Sequence, residues 1–213
     1  MHKVIELFNN AYQLKEIDVK DFKKMKVGPI RFDIAAYDIP NIGRLSYMKG
    51  KAMLGLMKMD TIIITSYKKD VPLFSYDCIK VGKKDTFLIE SYDTCKNKCD
   101  YPTLDAIKEK FSSYSKYEPK PAWYDTIRRK ESVAVTTKGK NNFDFLLEEY
   151  INAVIDIINN ADDISIDEKK ILNEVYVNGL QKNGGASTDM FLKKIGEEKT
   201  SELFRKYLFG TED

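Results

Sequence analysis

The chain has 213 residues, of which 43% are hydrophobic and 12% aromatic, so it can bury one substantial core. Its 35 basic and 33 acidic residues nearly cancel, which argues against the broad basic surface of a nucleic-acid-binding protein. No apolar run reaches the ~18 residues that span a bilayer, and Met1 to Leu7 is too charged for a secretory signal. We therefore expect one cytoplasmic domain over residues 1–213, with neither a nucleic-acid nor a membrane partner.

The cysteines are Cys78, Cys95 and Cys99, an odd number without a disulfide framework. The only histidine is His2, and a zinc site usually takes four ligands. We predict free thiols in a reducing compartment and no metal site.

The first half of the chain predicts one helix followed by strands. Apolar residues from Val4 to Met25 recur near helical spacing, with a break near Asp18. Five short β-rich runs separated by turn residues follow, and Ala52 to Met59 between them fits either helix or strand. The five runs are Ile30–Tyr37, Gly43–Met48, Thr61–Tyr67, Leu73–Val81 and Thr86–Tyr92.

The second half predicts mostly helices, with one more strand at Ser132–Thr137 and a proline-rich loop at Tyr117–Tyr124. Ser165 opens a capping box, S-I-D-E, and Ser187 or Thr188 caps the helix after it. The predicted helices are Leu104–Tyr114, Phe143–Ile158, Ser165–Leu180, one from Ser187 or Thr188 to Gly196, and Thr200–Leu208.

This order of helix, strands and helices, without βαβ alternation, is typical of an α+β fold with a mainly antiparallel sheet. Ile62 to Ile64 and much of Leu73 to Val81 are apolar on both faces, so both faces of the sheet should be covered. The predicted architecture is a three-layer α/β/α sandwich, with covers supplied by helices from the start and the end of the chain.

The hairpin Val71 to Asp93 carries a carboxylate in the middle of each strand, Asp77 and Glu90. A charged group in a buried strand is unfavourable unless it is paired or neutralised, and such exceptions tend to mark functional sites. If Gly82 to Asp85 forms a four-residue loop, Asp77 lies directly opposite Glu90, and the pair should share a proton near neutral pH. That arrangement predicts general-acid catalysis by Asp77 and Glu90.

Two alternatives remain open for these carboxylates. In the first, each carboxylate pairs instead with a lysine or arginine from a covering helix. In the second, a register shift of one residue places the two carboxylates on opposite faces.

The segment Asp70-Val71-Pro72-Leu73-Phe74-Ser75-Tyr76-Asp77 is similar to the D-x-P-x-F-x-x-D stretch of ferredoxin-dependent bilin reductases, whose fold the red chlorophyll catabolite reductases share. Pro121-Ala122-Trp123 resembles their P-x-W segment, and Tyr150 to Phe209 resembles their closing helices. The resemblance covers roughly two-thirds of the chain. It implies an α/β/α sandwich that holds an open-chain tetrapyrrole between the sheet and the C-terminal helices.

The resemblance also implies that ferredoxin or flavodoxin supplies single electrons, that no flavin or nicotinamide is bound, and that Asp77 protonates the pigment. Two departures stand out. The histidine that many members carry would fall near Asp60 or Thr61, where none exists. The acidic residue of a late helix has no counterpart in Gly185-Ala186-Ser187-Thr188, and Asp189 is displaced from it.

The candidate substrate-binding residues are Arg44, Tyr76, Trp123 and Thr188. Arg44 would meet the propionates of a pigment, and Trp123 would form a pocket wall. Tyr76 and Thr188 lie in the matched segments. Further cations that would suit propionates or an acidic electron carrier are Lys49, Lys51, Arg128, Arg129 and Lys130.

Three functions follow. The first is reduction of a linear tetrapyrrole, the second is a carrier that binds such a pigment without reducing it, and the third is a structural protein in which Asp77 is a satisfied core carboxylate.

Overall fold

The computed structural model describes residues 2–138, 143–185 and 187–212. Within these residues the chain builds one antiparallel sheet of nine strands, which are β1 (Lys15–Ile17), β2 (Lys24–Val27), β3 (Ile30–Ile39), β4 (Gly43–Ala52), β5 (Met57–Ser66), β6 (Leu73–Val81), β7 (Lys84–Tyr92), β8 (Ser115–Lys116) and β9 (Val133–Lys138). Their order in the sheet is β1-β3-β4-β5-β6-β7-β9-β8, and β2 also pairs with β3. Strands β3 to β7 form the predicted meander because their connections are too short for a crossover helix.

Helices cover both faces of this sheet. They are α1 (His2–Tyr12), α2 (Pro102–Lys110), α3 (Phe143–Asn160), α4 (Ile166–Asn183) and α5 (Thr188–Glu202), followed by a π-helical segment (Leu203–Leu208). Residues of α1, α2 and α3 share one core with one face of the sheet, and residues of α4, α5 and the π-helical segment share a second core with the other face. The three-layer α/β/α sandwich with a central antiparallel sheet is therefore confirmed.

The predicted helix from Val4 to Met25 is wrong beyond Tyr12. Gln13 has a φ of 54°, which ends α1, and the chain then forms β1, a 3-10 turn at Lys20–Phe22 and β2. Both strands pair with β3, so sheet hydrogen bonds determine a segment in which the helical apolar spacing is weak.

Two predicted helix boundaries, at Ser165 and at Gly196, can be compared with the structure. The Ser165 hydroxyl accepts a hydrogen bond from the backbone N–H of Glu168 at 3.3 Å, as the capping box predicts. Gly196 ends the first helical stretch of α5, as its sequence predicts, because its φ of 81° and ψ of 171° are not helical. A second helical stretch follows it up to Glu202.

Candidate functional site

Asp77 lies in the middle of β6, where its neighbours across the sheet are Thr61 of β5 and Leu88 of β7. The same row continues to Ala134 of β9, which pairs with Leu88. Because side chains alternate along a strand, Asp77 points to the face of Leu73, which packs with the C-terminal helices.

The predicted register of the hairpin is wrong by two positions. Val81 pairs with Lys84, so the turn is shorter than the predicted four residues, and Gly82 supports it with a φ of 61°. Glu90 consequently lies opposite Ser75, diagonal to Asp77. A shift of two keeps both carboxylates on one face but removes their direct opposition.

Two hydroxyls hold the Asp77 carboxylate. The Thr61 hydroxyl donates to Oδ1, and the Ser75 hydroxyl donates to Oδ2 at 3.4 Å. In the described part of the chain, no lysine or arginine lies within ion-pair distance of this carboxylate. Burial raises the pKa of Asp77 to about 7, the Thr61 hydrogen bond opposes that rise, and the charge of Glu90 adds to it.

Glu90 has a different environment. It is only 7% exposed, its Oε1 lies 2.8 Å from Arg128 Nε, and its Oε2 accepts a 2.8 Å hydrogen bond from the Tyr92 hydroxyl. Burial raises the pKa of Glu90 above its ordinary value, although the Arg128 charge and the Tyr92 hydrogen bond oppose that rise. Glu90 therefore forms an ion pair, as one alternative predicted, but its cation comes from an isolated β-bridge after the 3-10 turn Trp123–Thr126 and not from a covering helix.

The sheet around Asp77 presents a flat and mostly apolar surface, which we call the platform. It consists of half-buried side chains from four adjacent strands, namely Met59, Ile79, Leu88 and Ala134. Their neighbours on the opposite face, Phe87, Ile89, Val133 and Val135, are buried under the other helical layer. The C-terminal helices thus leave part of the Asp77 face open.

Aromatic rings border the platform on the side of Glu90. Tyr92 lies 4.5 Å from Tyr176 and 5.6 Å from Tyr124, measured between ring centroids. Trp123 packs 5.6 Å from Tyr176 and donates from Nε1 to the Gly184 carbonyl at 2.9 Å. Through Tyr176 and Tyr92, this aromatic wall connects α4 to β7 of the sheet.

A pocket of about 680 Å³ opens beside Glu90 and Arg128 at the β9 edge of the sheet. Ala134 belongs both to its lining and to the platform, so the pocket continues the open face. Aromatic and apolar side chains dominate the remaining wall, including Phe111, Tyr114, Tyr117 and Pro119. Such a shape suits a flat, largely apolar ligand.

The structure brings only some of the predicted residues to Asp77. Trp123 stands in the aromatic wall. Tyr76 points to the opposite face and packs against Phe87, and Thr188 is 1% exposed at the start of α5. Arg44 donates from Nη1 to the Lys206 carbonyl at 2.9 Å and so anchors the π-helical segment.

Sequence reasoning missed Thr61, Tyr92, Tyr124 and Tyr176 as parts of this site. Tyr92 had a signal, because it lies two positions after Glu90 and therefore on the same face. Predicting Thr61 as a site residue would have required the β5–β6 register. Predicting Tyr124 and Tyr176 would have required the tertiary packing of their segments. Of the segment 185–188, position 186 lies outside the described residues.

Within the described ranges, no three histidine, cysteine, aspartate or glutamate side chains converge as metal ligands. The same ranges contain no helix with the length and apolarity needed to cross a bilayer. Cys78, Cys95 and Cys99 are free and half-buried.

These features define a class by architecture, an α/β/α sandwich whose antiparallel sheet carries a half-buried carboxylate on an open face. No family model matches the sequence, and no curated protein matches it. Among solved structures, phytochromobilin synthase from tomato, crystallised in complex with biliverdin, matches with a TM-score of 0.78 at 10% identity, over 99% of this chain and 81% of that chain. The chain therefore has the fold of a bilin reductase, and the resemblance inferred from the Asp70–Asp77 motif is confirmed for the fold.

Proposed function

We propose that this protein is an oxidoreductase that binds an open-chain tetrapyrrole on the platform and reduces it with electrons from ferredoxin or flavodoxin. The single observation that carries the proposal is the half-buried Asp77 carboxyl, which has no counter-cation among the described residues and lies on an apolar face whose β9 end, at Ala134, lines a pocket of about 680 Å³. The tomato protein of the same fold, which was crystallised with biliverdin, supports the choice of ligand class. The tomato structure matches 99% of this chain, which supports our proposal that residues 1–213 form one domain.

Asp77 is the proposed proton donor. A carboxyl with a pKa of about 7 is partly protonated near neutral pH, which suits a general acid. Thr61 and Ser75 fix its orientation by donating to both oxygens. When single electrons arrive from the external carrier, the carboxyl would transfer its proton to the pigment and be reprotonated from solvent through the open face.

The open end of the platform also suits the acidic groups of the pigment. Lys84 and Lys138 lie directly opposite each other on the Asp77 face, and both are exposed. Like charges in this position destabilise a sheet, so an anionic ligand between them would be favourable. Lys84 pairs with Val81, which lies four residues and about 13 Å along β6 from Asp77, a distance within reach of a propionate-bearing pigment.

A second function, carriage of the pigment without reduction, is favoured by two observations. Thr61 occupies the position opposite Asp77, so a hydroxyl stands close to where the family motif would place a histidine. Glu90 is held by Arg128 and Tyr92. A relay built on further titratable groups would then be missing, and Asp77 would have to act alone.

In the structural alternative, Asp77 is a core carboxylate whose charge is balanced by a buried lysine or arginine. The described residues supply hydroxyls in that role and no cation, which disfavours it.

The test is an absorption titration with biliverdin, followed by addition of reduced ferredoxin. We expect a shifted pigment spectrum on binding and a further change on reduction. Asp77→Asn should still bind but should reduce the pigment at least about 100-fold more slowly, because it removes the general acid. Asp33→Asn makes the same chemical change at an exposed position of β3 and serves as the control.

Three outcomes separate the hypotheses. Binding without any reduction by the wild type would support the carrier. Equal rates for the wild type and Asp77→Asn would refute the role of Asp77. No spectral shift with biliverdin would refute both functions.

A further inference from the structure

One end of the sheet carries a row of cations. The row lies across five adjacent strands, β2 to β6, and each member is paired directly with the next in the register. Its members are Lys26, Arg31, Lys51, Lys58 and Lys80, all of them exposed, and we call them the cationic row. At the usual spacing of ~4.8 Å between strands, the row is about 19 Å long.

Like charges directly opposite each other destabilise a sheet, so this arrangement is unfavourable for folding alone. Of the five, Lys80 alone has an acidic partner among the described residues, Asp85 at 3.4 Å.

The next charged row inwards behaves in the ordinary way, because Lys24, Asp33, Lys49 and Asp60 alternate in sign across four of these strands, β2 to β5. The cationic row is therefore a local exception and not a consequence of the general abundance of lysine.

An apolar turn projects from the sheet immediately beyond this row. Between Lys51 and Lys58, the side chains of Met53, Leu54 and Leu56 are 63%, 108% and 64% exposed. Met53 and Leu54 have φ values of 51° and 54°, a left-handed backbone that is unfavourable for side chains other than glycine. The chain thus holds an unfavourable turn that presents apolar side chains to solvent next to five cations.

We propose that this end of the sheet docks on an anionic membrane surface, with the cationic row facing lipid headgroups and the Met53–Leu56 turn inserted among them. Cations near an anionic bilayer each strengthen binding, and exposed apolar side chains add burial in the interface. We favour a membrane over an acidic protein because a fluid bilayer can accommodate the exposed turn at any point on its surface. An acidic protein would instead need a cavity that matches Leu54.

This inference does not depend on the proposed function. It departs from the expectation of no membrane partner, which considered only spanning segments and secretory signals. A surface that binds peripherally requires neither.

The test is co-sedimentation of the full chain with vesicles of phosphatidylcholine containing about a third phosphatidylglycerol, compared with pure phosphatidylcholine, at low and at physiological salt. We expect binding to the anionic vesicles, weakened by salt, and little binding to the neutral ones. The double substitution Lys51→Ser and Lys58→Ser should weaken binding about 25-fold, at about fivefold for each lysine. Leu54→Ser should weaken it at unchanged net charge.

Matched controls exist elsewhere on the surface. Lys193→Ser with Lys194→Ser removes the same charge from α5, and Ile171→Ser removes an apolar side chain that is 66% exposed on α4. Both controls should bind like the wild type. All variants change exposed residues, and circular dichroism checks their folding.

The proposal is overturned if the wild type does not sediment with anionic vesicles. It is equally overturned if the α5 and α4 controls weaken binding as much as the variants of the row and the turn. A third outcome would assign the surface to a protein partner instead. In that outcome the protein does not bind vesicles but forms a salt-sensitive complex with an acidic protein such as ferredoxin, and the Lys51 and Lys58 variant loses that complex.

Discussion

Replacing Asp77 with asparagine should make the protein more stable at pH 8 than the wild type, by an amount that shrinks as the pH falls. Native Asp77 has a pKa of about 7 against an ordinary value of 3.8. Between these values the native state holds a proton that the unfolded chain has lost, so wild-type stability falls as the pH rises. The shift of about three pH units corresponds to about 4 kcal/mol, and access of solvent to the half-buried carboxyl reduces the expected effect to about 2 to 4 kcal/mol.

Asparagine carries no titrating proton and keeps the shape of the side chain. The free energy of unfolding of Asp77→Asn minus that of the wild type should therefore increase by about 2 to 3 kcal/mol between about pH 4.5 and pH 8. Urea unfolding at several pH values, followed by the fluorescence of Trp123, measures both proteins under the same conditions. Glu90 is present in both, so its own titration cancels to first order.

The control is again Asp33→Asn, which leaves Asp77 in place and should preserve the fall in stability towards pH 8. A difference between Asp77→Asn and the wild type that stays constant with pH would show that the native carboxyl ionises in its ordinary range. The reasoning that makes Asp77 a general acid near neutral pH would then fail.

Three further changes test the surroundings of the site. Arg128→Ala should lower the free energy of unfolding by about 3 kcal/mol at pH 7, because it leaves Glu90 buried without its cation. Adding Glu90→Gln should restore part of that loss. Equal losses in the single and double variants would contradict the ion pair. Gly179→Ala places a Cβ inside the space of the Trp123 ring, so Trp123 must move and its emission should shift to longer wavelength. An unchanged spectrum would mean that the ring does not pack on α4. Ser165→Ala should cost about 1 kcal/mol in urea unfolding, while Ser165→Asp should retain most of the stability, and an equal loss in both would exclude capping.

Much of the fold followed from short-range patterns. The strand Leu73–Val81 was predicted with the bounds that the structure gives, and helix α3 begins at Phe143 as its apolar spacing indicated. These segments have strong periodicity and clear turn residues at their ends, so local sequence and tertiary packing agree.

The errors fall where long-range pairing decides the outcome. Nothing local distinguishes the segment after Tyr12 as a partner of β3, and its weak helical spacing gives way to sheet hydrogen bonds. The hairpin error has the same origin, because one tight turn at Gly82 changes the partner of every residue in both strands. The cationic row was equally hidden, since its members are scattered from Lys26 to Lys80 and become neighbours only through the register.

Asp77 and Glu90 were nearly equivalent in the sequence, as single carboxylates in the middle of two apolar strands. In the structure their environments differ because of one residue, Arg128, which belongs to neither strand. Arg128 follows the 3-10 turn Trp123–Thr126 and reaches Glu90 at 2.8 Å, whereas the described residues give Asp77 hydroxyl hydrogen bonds and no cation. The Arg128 charge opposes the rise in the pKa of Glu90 that burial causes, and Asp77, which lacks such a cation in that part of the chain, keeps its proton to about pH 7. Because donation of a proton to a pigment requires the second condition, the position of Arg128 is what selects Asp77 over Glu90 as the proposed acid.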